Sequence, residues 1–155
     1  MSTDAITLLK DDHAAVNKLF TEFERSRTTR GRKQEIVEEV IRMLTVHTYL
    51  ENEVMYPEVC RLVPDLDGDI LESYEEHHVA DVLSAELSAM DPGDDRYFPK
   101  FTVLMENVRH HVKEEEQGWF PVVRESLSRT QLREIGARML EMRPHAPTAP
   151  ATTGS

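Results

Sequence analysis

Histidine recurs in this chain at a fixed interval. His13 and His47 are 34 residues apart, and so are His77 and His111. The second member of each pair carries a glutamate at +4 and a proline at +10: Glu51 and Pro57 in one half, Glu115 and Pro121 in the other. An acidic pair precedes the first member each time, Asp11-Asp12 and Glu75-Glu76. Such self-similarity marks one supersecondary unit made twice, and the hydrophobic phase says that the unit is helical. His13 falls in the run Leu9, His13, Val16, Phe20, Phe23, and His47 in Val37, Val40, Leu44, His47, Glu51, Val54, both stepping by three and four. The second copy repeats this with Ile70, Tyr74, His77, Leu83, Leu87, Met90 and with Leu104, Val108, His111, Glu115, Val122. The interval also decides between adjacent histidines. His78 would give 33, and His110 would break the match to Pro121; neighbouring helix positions point about 100° apart, so these two face sideways or outward.

Turn chemistry divides the stripes into elements. The first helix spans about 4–26, and the second runs through His47 to Pro57, beyond which the segment frays into Pro64 to Gly68. The third begins near Asp69 and stops at Asp91-Pro92-Gly93, and the fourth runs from about Pro99, with Pro121 near its end. No segment alternates with period two. The expected fold is all-α, an antiparallel four-helix bundle in which the two helical hairpins pack with pseudo-two-fold symmetry. Ser128-Arg-Thr-Gln131 reads as a capping box opening a short fifth helix through about Met142. Residues 1–143 form one domain on this reading; 144–155, rich in Pro, Ala, Thr, Gly and Ser, are expected to be a disordered tail.

Composition narrows the partners. Eighteen Lys and Arg against 29 Asp and Glu leave a net charge of −11, which opposes docking on nucleic acid or anionic lipid. No apolar run approaches the roughly 20 residues of a membrane span. The single cysteine, Cys60, can form no internal disulfide, and the expected location is cytoplasmic, with a monomer or weak dimer as the expected state.

Residues at i and i+4 lie over one another on a helix, so His47/Glu51 and His111/Glu115 each send an imidazole and a carboxylate inward. Ionised carboxylates inside an apolar bundle need a partner, and a metal centre serves all six groups at once. Mixed nitrogen and oxygen donors suit iron, manganese or zinc, and no clustered thiolates call for iron–sulfur or a closed zinc site. Two ions are expected, His13 and His47 on one, His77 and His111 on the other, with Glu51 and Glu115 bridging. Coordination then stays open for a small ligand such as O2 or peroxide. Asn17 and Asp81, each one turn after a histidine, and Tyr74, one turn before His77, are candidates to back or supplement these ligands. Trp119 and Phe120 are expected to close one end of the bundle.

The segments Asp12-His13, His47-Thr-Tyr-Leu-Glu51-Asn-Glu-Val-Met-Tyr-Pro57, Glu76-His77-His78 and His110-His111-Val-Lys-Glu-Glu115-Glu-Gln-Gly-Trp-Phe-Pro121 resemble the hemerythrin-like HHE cation-binding family over about residues 4–142. The resemblance implies a four-helix bundle around a non-haem centre of two iron ions, oxo- or hydroxo-bridged, with His13, His47, Glu51, His77, His111 and Glu115 as ligands. Oxygen-carrying hemerythrins add a second histidine four residues from the first on the third helix and end the fourth-helix motif in His-x4-Asp. Here Ser73 and Asp81 flank His77 at four residues, so the chain is more similar to bacterial HHE proteins implicated in iron handling and in responses to oxygen, peroxide or nitric oxide. The implied function is O2 or peroxide binding with catalase-like decomposition of H2O2; the alternative is a non-enzymatic module that senses or stores O2, nitric oxide or iron.

Overall fold

A computed structural model of the chain describes residues 4–150. Helix α1 (Ala5–Glu24) starts where the Asp4 side chain accepts the Thr7 amide at 2.9 Å. Helix α2 (Arg30–Leu50) starts on Thr29, whose hydroxyl accepts from Arg32. Each cap satisfies an amide that the first helical turn leaves free. Past Leu50 the chain passes through one π turn, Glu51–Met55, into α3 (Tyr56–Leu62). Helices α4 (Asp67–Ala89) and α5 (Tyr97–Lys113) form the second hairpin, and α5 continues through a second π turn, Glu114–Trp119, into α6 (Phe120–Ser126). No strand forms among the described residues. The four long rods make the expected bundle.

Two expectations need correction. The prolines near the helix ends, Pro57 and Pro121, do not interrupt the rods, which run on through α3 and α6. A proline inside a helix lacks an N–H and clashes with the carbonyl four residues back, and the chain meets this by widening one turn instead of stopping. The amide of Tyr56 reaches back five residues to Glu51, and that of Phe120 five residues to Glu115. The buried face of α4 is also rotated from the predicted stripe. Ile70, Ser73, His77, Ala80, Ser84 and Leu87 point inward, whereas Tyr74, Leu83 and Met90 sit at its margin and Leu71 and Val79 are exposed. Small Ser73, Ala80 and Ser84 set how closely this helix approaches its neighbours, chiefly α5.

The capping box forms as expected. Ser128 accepts from the Gln131 amide, the Gln131 side chain accepts from the Ser128 amide, and α7 (Arg129–Met142) packs along α1 with Leu132, Ile135 and Met139 buried. Beyond it Arg143–His145 make a single 3-10 turn, and no further regular element follows to 150. The expectation for 151–155 falls outside the described residues.

The apolar interior is in two parts. One cluster, with Leu9, Leu50, Tyr56, Ile70, Trp119, Phe120 and Ile135, fills the end covered by α7. The other, with Val16, Phe20, Leu44, Ala80, Phe101 and Val108, fills the opposite end. Between Leu9 and Val16 stands His13, and between Leu44 and Leu50 stands His47. His77 and His111 stand likewise on their helices, so a polar layer separates the two clusters.

Candidate metal centre

The six residues singled out by the duplicated spacing meet in that layer. His13, His47, His77 and His111 are buried, and Glu51 and Glu115 are 0% exposed. Their inward atoms fall into two groups, each within 4.8 Å: His13, His47, Glu51 and Glu115, and His77, His111, Glu51 and Glu115. Both carboxylates belong to both groups. Glu51 Oε1 lies 3.1 Å from His47 Nε2 and 3.0 Å from His77 Nε2. Glu115 places Oε1 3.2 Å from His13 Nε2 and Oε2 3.3 Å from His111 Nε2.

Each imidazole is held from behind. Nδ1–H of His13 donates to Glu116 Oε2 at 2.6 Å, that of His47 to Asp12 Oδ2 at 2.9 Å, that of His77 to Asn52 Oδ1 at 2.7 Å and that of His111 to Glu76 Oε1 at 2.6 Å. The bonds fix ring orientation and leave every Nε2 facing inward. A shift of 64 residues carries Asp12 onto Glu76 and Asn52 onto Glu116, so the holding groups obey the same duplication. They were missed as individuals, although the acidic pairs before His13 and His77 were the signal for Asp12 and Glu76. Asn17, Tyr74 and Asp81 are not the groups that hold the rings. Asn17 is exposed, with its carbonyl accepting from Thr21. Asp81 is half-buried, and burial raises its carboxyl against the pull of His77 and His78. Tyr74 acts one step removed: the Tyr56 amide is committed to Glu51 and Pro57 has none, so the carbonyl of Asn52 is free to accept the Tyr74 hydroxyl at 3.4 Å.

Tyr56 is a residue that sequence reasoning did not find. Fully buried, its hydroxyl donates to Glu115 Oε2 at 2.6 Å and lies 3.1 Å from His77 Nε2. Phe120 stacks on His13 and Trp119 meets Tyr56 edge-on, so these two pack against the polar layer. His78 and His110 are exposed, as their phase requires. Cys60 is half-buried on α3, outside the layer.

The buried carboxylates set the protonation of the imidazoles that face them. Burial pulls the His47 imidazole down, but Glu51 and Asp12 outweigh it and push it up to about 10. His111 is likewise pushed up to about 12, by Glu115, Glu51 and Glu76 against its burial. Glu51 is held well below the carboxylate range despite burial, by His47 first. Burial and the two carboxylates drive the Tyr56 phenol well above its ordinary value. Even so, His13 Nε2, His47 Nε2, Glu51 Oε2 and Glu115 Oε1 have no hydrogen-bond partner among the described residues. Orphaned buried polar atoms are rare in folded proteins, and all four converge on the space between the carboxylates. The donor set fits cations there.

The model of the hemerythrin HHE cation-binding domain matches residues 4–123. The chain belongs to the hemerythrin HHE family. Among solved structures, a hemerythrin HHE cation-binding-domain-containing protein from Mycobacterium kansasii superposes with a TM-score of 0.74 over 92% of this chain and 86% of that one, at 19% identity; this likeness is of fold. A protein of Nostoc sp. (strain PCC 7120) named DNA nickase is 32% identical over 124 residues. The match takes in 80% of the HHE chain but only 34% of the relative. Among the described residues no helix is long and apolar enough to cross a membrane.

Proposed function

We propose that the chain is a carboxylate-bridged, non-haem di-iron protein that binds O2 or hydrogen peroxide and decomposes H2O2 as a catalase does. The observation that supports it is the pair of four-donor sets sharing Glu51 and Glu115, whose inward atoms otherwise lack partners. His13, His47, His77 and His111 would hold the ions, with both glutamates bridging. Imidazole and carboxylate without thiolate suit iron, and manganese or zinc can take the same donors. Iron supplies the electron transfer to a dioxygen-type ligand that no side chain provides.

The chain's own part is orientation and exclusion. Carboxylates of Glu116, Asp12 and Glu76 and the amide of Asn52 keep the Nδ1 protons outward and the Nε2 atoms inward. A cavity of about 30 Å³ borders all four imidazoles, with Val16, Leu44, Ala80, Val108 and Val112 as its apolar wall. That is room for about one water-sized molecule, the scale of a diatomic ligand or peroxide.

A sensing or storage role for O2, nitric oxide or iron is the second reading, favoured by one contact: Arg143 holds Asp12 at 3.0 Å, and Asp12 holds His47. A change at the centre thereby reaches the segment after α7. The nickase name is not carried over, because the match covers about a third of that relative and a net charge of −11 opposes a phosphate backbone.

The test is metal analysis of aerobically purified protein with peroxide turnover. About two irons per chain and O2 evolution from H2O2, abolished in Glu51→Ala and His111→Ala, support the catalytic reading. Inert peroxide with a reversible spectral response to O2 or nitric oxide supports the sensor. Zinc alone after iron-replete expression refutes both.

A further inference from the structure

Four groups hold the imidazoles of the centre from behind, and three of them are carboxylates. Glu116 and Glu76 each accept an Nδ1–H at 2.6 Å, whereas Asp12 accepts that of His47 at 2.9 Å. That bond is longer even than the one from His77 to the neutral amide of Asn52, at 2.7 Å. Asp12 differs from the other two carboxylates in what else it meets. Arg143 Nη2 lies 3.0 Å from Asp12 Oδ2, the oxygen that accepts from His47, and 3.3 Å from Oδ1. Glu76 keeps its two contacts apart: Oε1 accepts from His111, and Oε2 faces His110 at 3.6 Å. The duplication supplies no second arginine, because Arg143 stands on the 3-10 turn after α7, outside both halves. A carboxylate behind a ligand imidazole strengthens it as a metal donor, and a guanidinium on the same oxygen draws charge away from that bond.

We propose that Arg143 is a positioning residue: by sharing Asp12 Oδ2 with His47 it loosens the hold on the cation between His13 and His47 and leaves the one between His77 and His111 untouched. The inference rests on the di-iron reading above. Arg143 touches no ligand atom of the centre, so its effect passes through one carboxylate and one imidazole. The turn that follows α7 thereby sets the affinity of one of the two positions.

The full chain is titrated with ferrous iron under anaerobic chelator competition, as wild type and as Arg143→Ala, Arg143→Gln, Arg143→Lys and Arg138→Ala. Wild type should take up two ions in two resolved steps. Arg143→Ala and Arg143→Gln should tighten one step by about 3- to 5-fold, the scale of one partly exposed charge, with the other step unchanged. Arg143→Lys, which restores the charge, should return that step toward wild type. Arg138→Ala takes the same charge from α7, but Arg138 pairs with Glu58 at 2.6 Å on another face, and both steps should stay as they are. Asp12→Asn should weaken the step that Arg143→Ala tightens, and in an Asp12→Asn background Arg143→Ala should have no effect, since the two residues act as one unit. Unchanged or weakened binding in Arg143→Ala, both steps tightened alike, an equal effect in Arg138→Ala, or an effect that survives Asp12→Asn overturns this inference and leaves the di-iron reading standing. No bound iron in wild type overturns both.

Discussion

On the proposed di-metal reading, Glu51→Ala isolates the stabilisation that bound cations add to the fold. Glu51 Oε1 stands 3.1 Å from His47 Nε2 and 3.0 Å from His77 Nε2, so one truncation removes a donor from both four-atom sets. A ligand that binds only the folded chain adds RT ln(1 + [L]/Kd), about 2.7 kcal/mol when free metal is 100 times Kd. Two such ions add about 5 kcal/mol, and at about 2–4 °C per kcal/mol for a chain of this size the melting temperature rises by about 10–20 °C. Glu51→Ala changes the metal-free protein as well, because His47 loses its charge partner. The quantity to compare is therefore the shift that a chelator produces in each protein, which cancels that background. Circular dichroism melts of iron-loaded and chelator-treated samples give it. The wild type should show the full shift, Glu51→Ala less than about a third of it, and Glu53→Ala, an exposed residue on the same π turn, the wild-type value. An undiminished shift in Glu51→Ala would refute the view that this carboxylate serves both ions.

Other outcomes follow from the same geometry. His47 and His111 are raised above their ordinary 6.5 to about 10 and about 12 in the metal-free fold, so the stability they contribute is complete below about pH 6.5 and declines as pH rises through the raised values. Metal uptake needs those nitrogens deprotonated, so affinity rises with pH; melts of metal-free protein and chelator competition, both run across pH 6–10, should slope in opposite directions. Asp12→Ala releases His47 Nδ1 and should weaken iron binding by about 10- to 100-fold in chelator competition, whereas Asn17→Ala, at an exposed position, leaves it unchanged. Ser128→Ala removes half of the capping box and should cost about 1 kcal/mol, a fall of about 2–4 °C in melting temperature, with iron content unaltered.

Helix phase and the 34-residue interval were enough to bring out the six inward residues, because both act within one turn or one hairpin. The groups behind the imidazoles depend on contacts between helices: His13 meets Glu116 across 103 residues, and His47 meets Asp12 across 35. Periodicity along one helix carries no record of such pairs, although the duplication does once one of them is known. Tyr56 was hidden by a change of phase. Five residues after Glu51 it would stand about 140° away on a regular helix; the π turn absorbs one residue and brings it to about 40°. Prolines read as stops conceal this, since the same missing N–H that can end a helix here widens it. On α4 the larger side chains drew the predicted stripe toward Tyr74 and Leu83, while close approach to α5 selected Ser73, Ala80 and Ser84.

Duplication gives the molecule a matched comparison built into its own chain. Positions 56 and 120, and positions 52 and 116, make equivalent contacts in the two halves, on or behind His77 and His13, yet hold tyrosine against phenylalanine and asparagine against glutamate. Any chemistry confined to one side of the centre must trace to positions where the halves diverge, these two pairs and others that line it, such as Asp12 against Glu76 and Thr48 against Val112, and exchanging the partners of a pair would move that chemistry to the opposite side of the same scaffold.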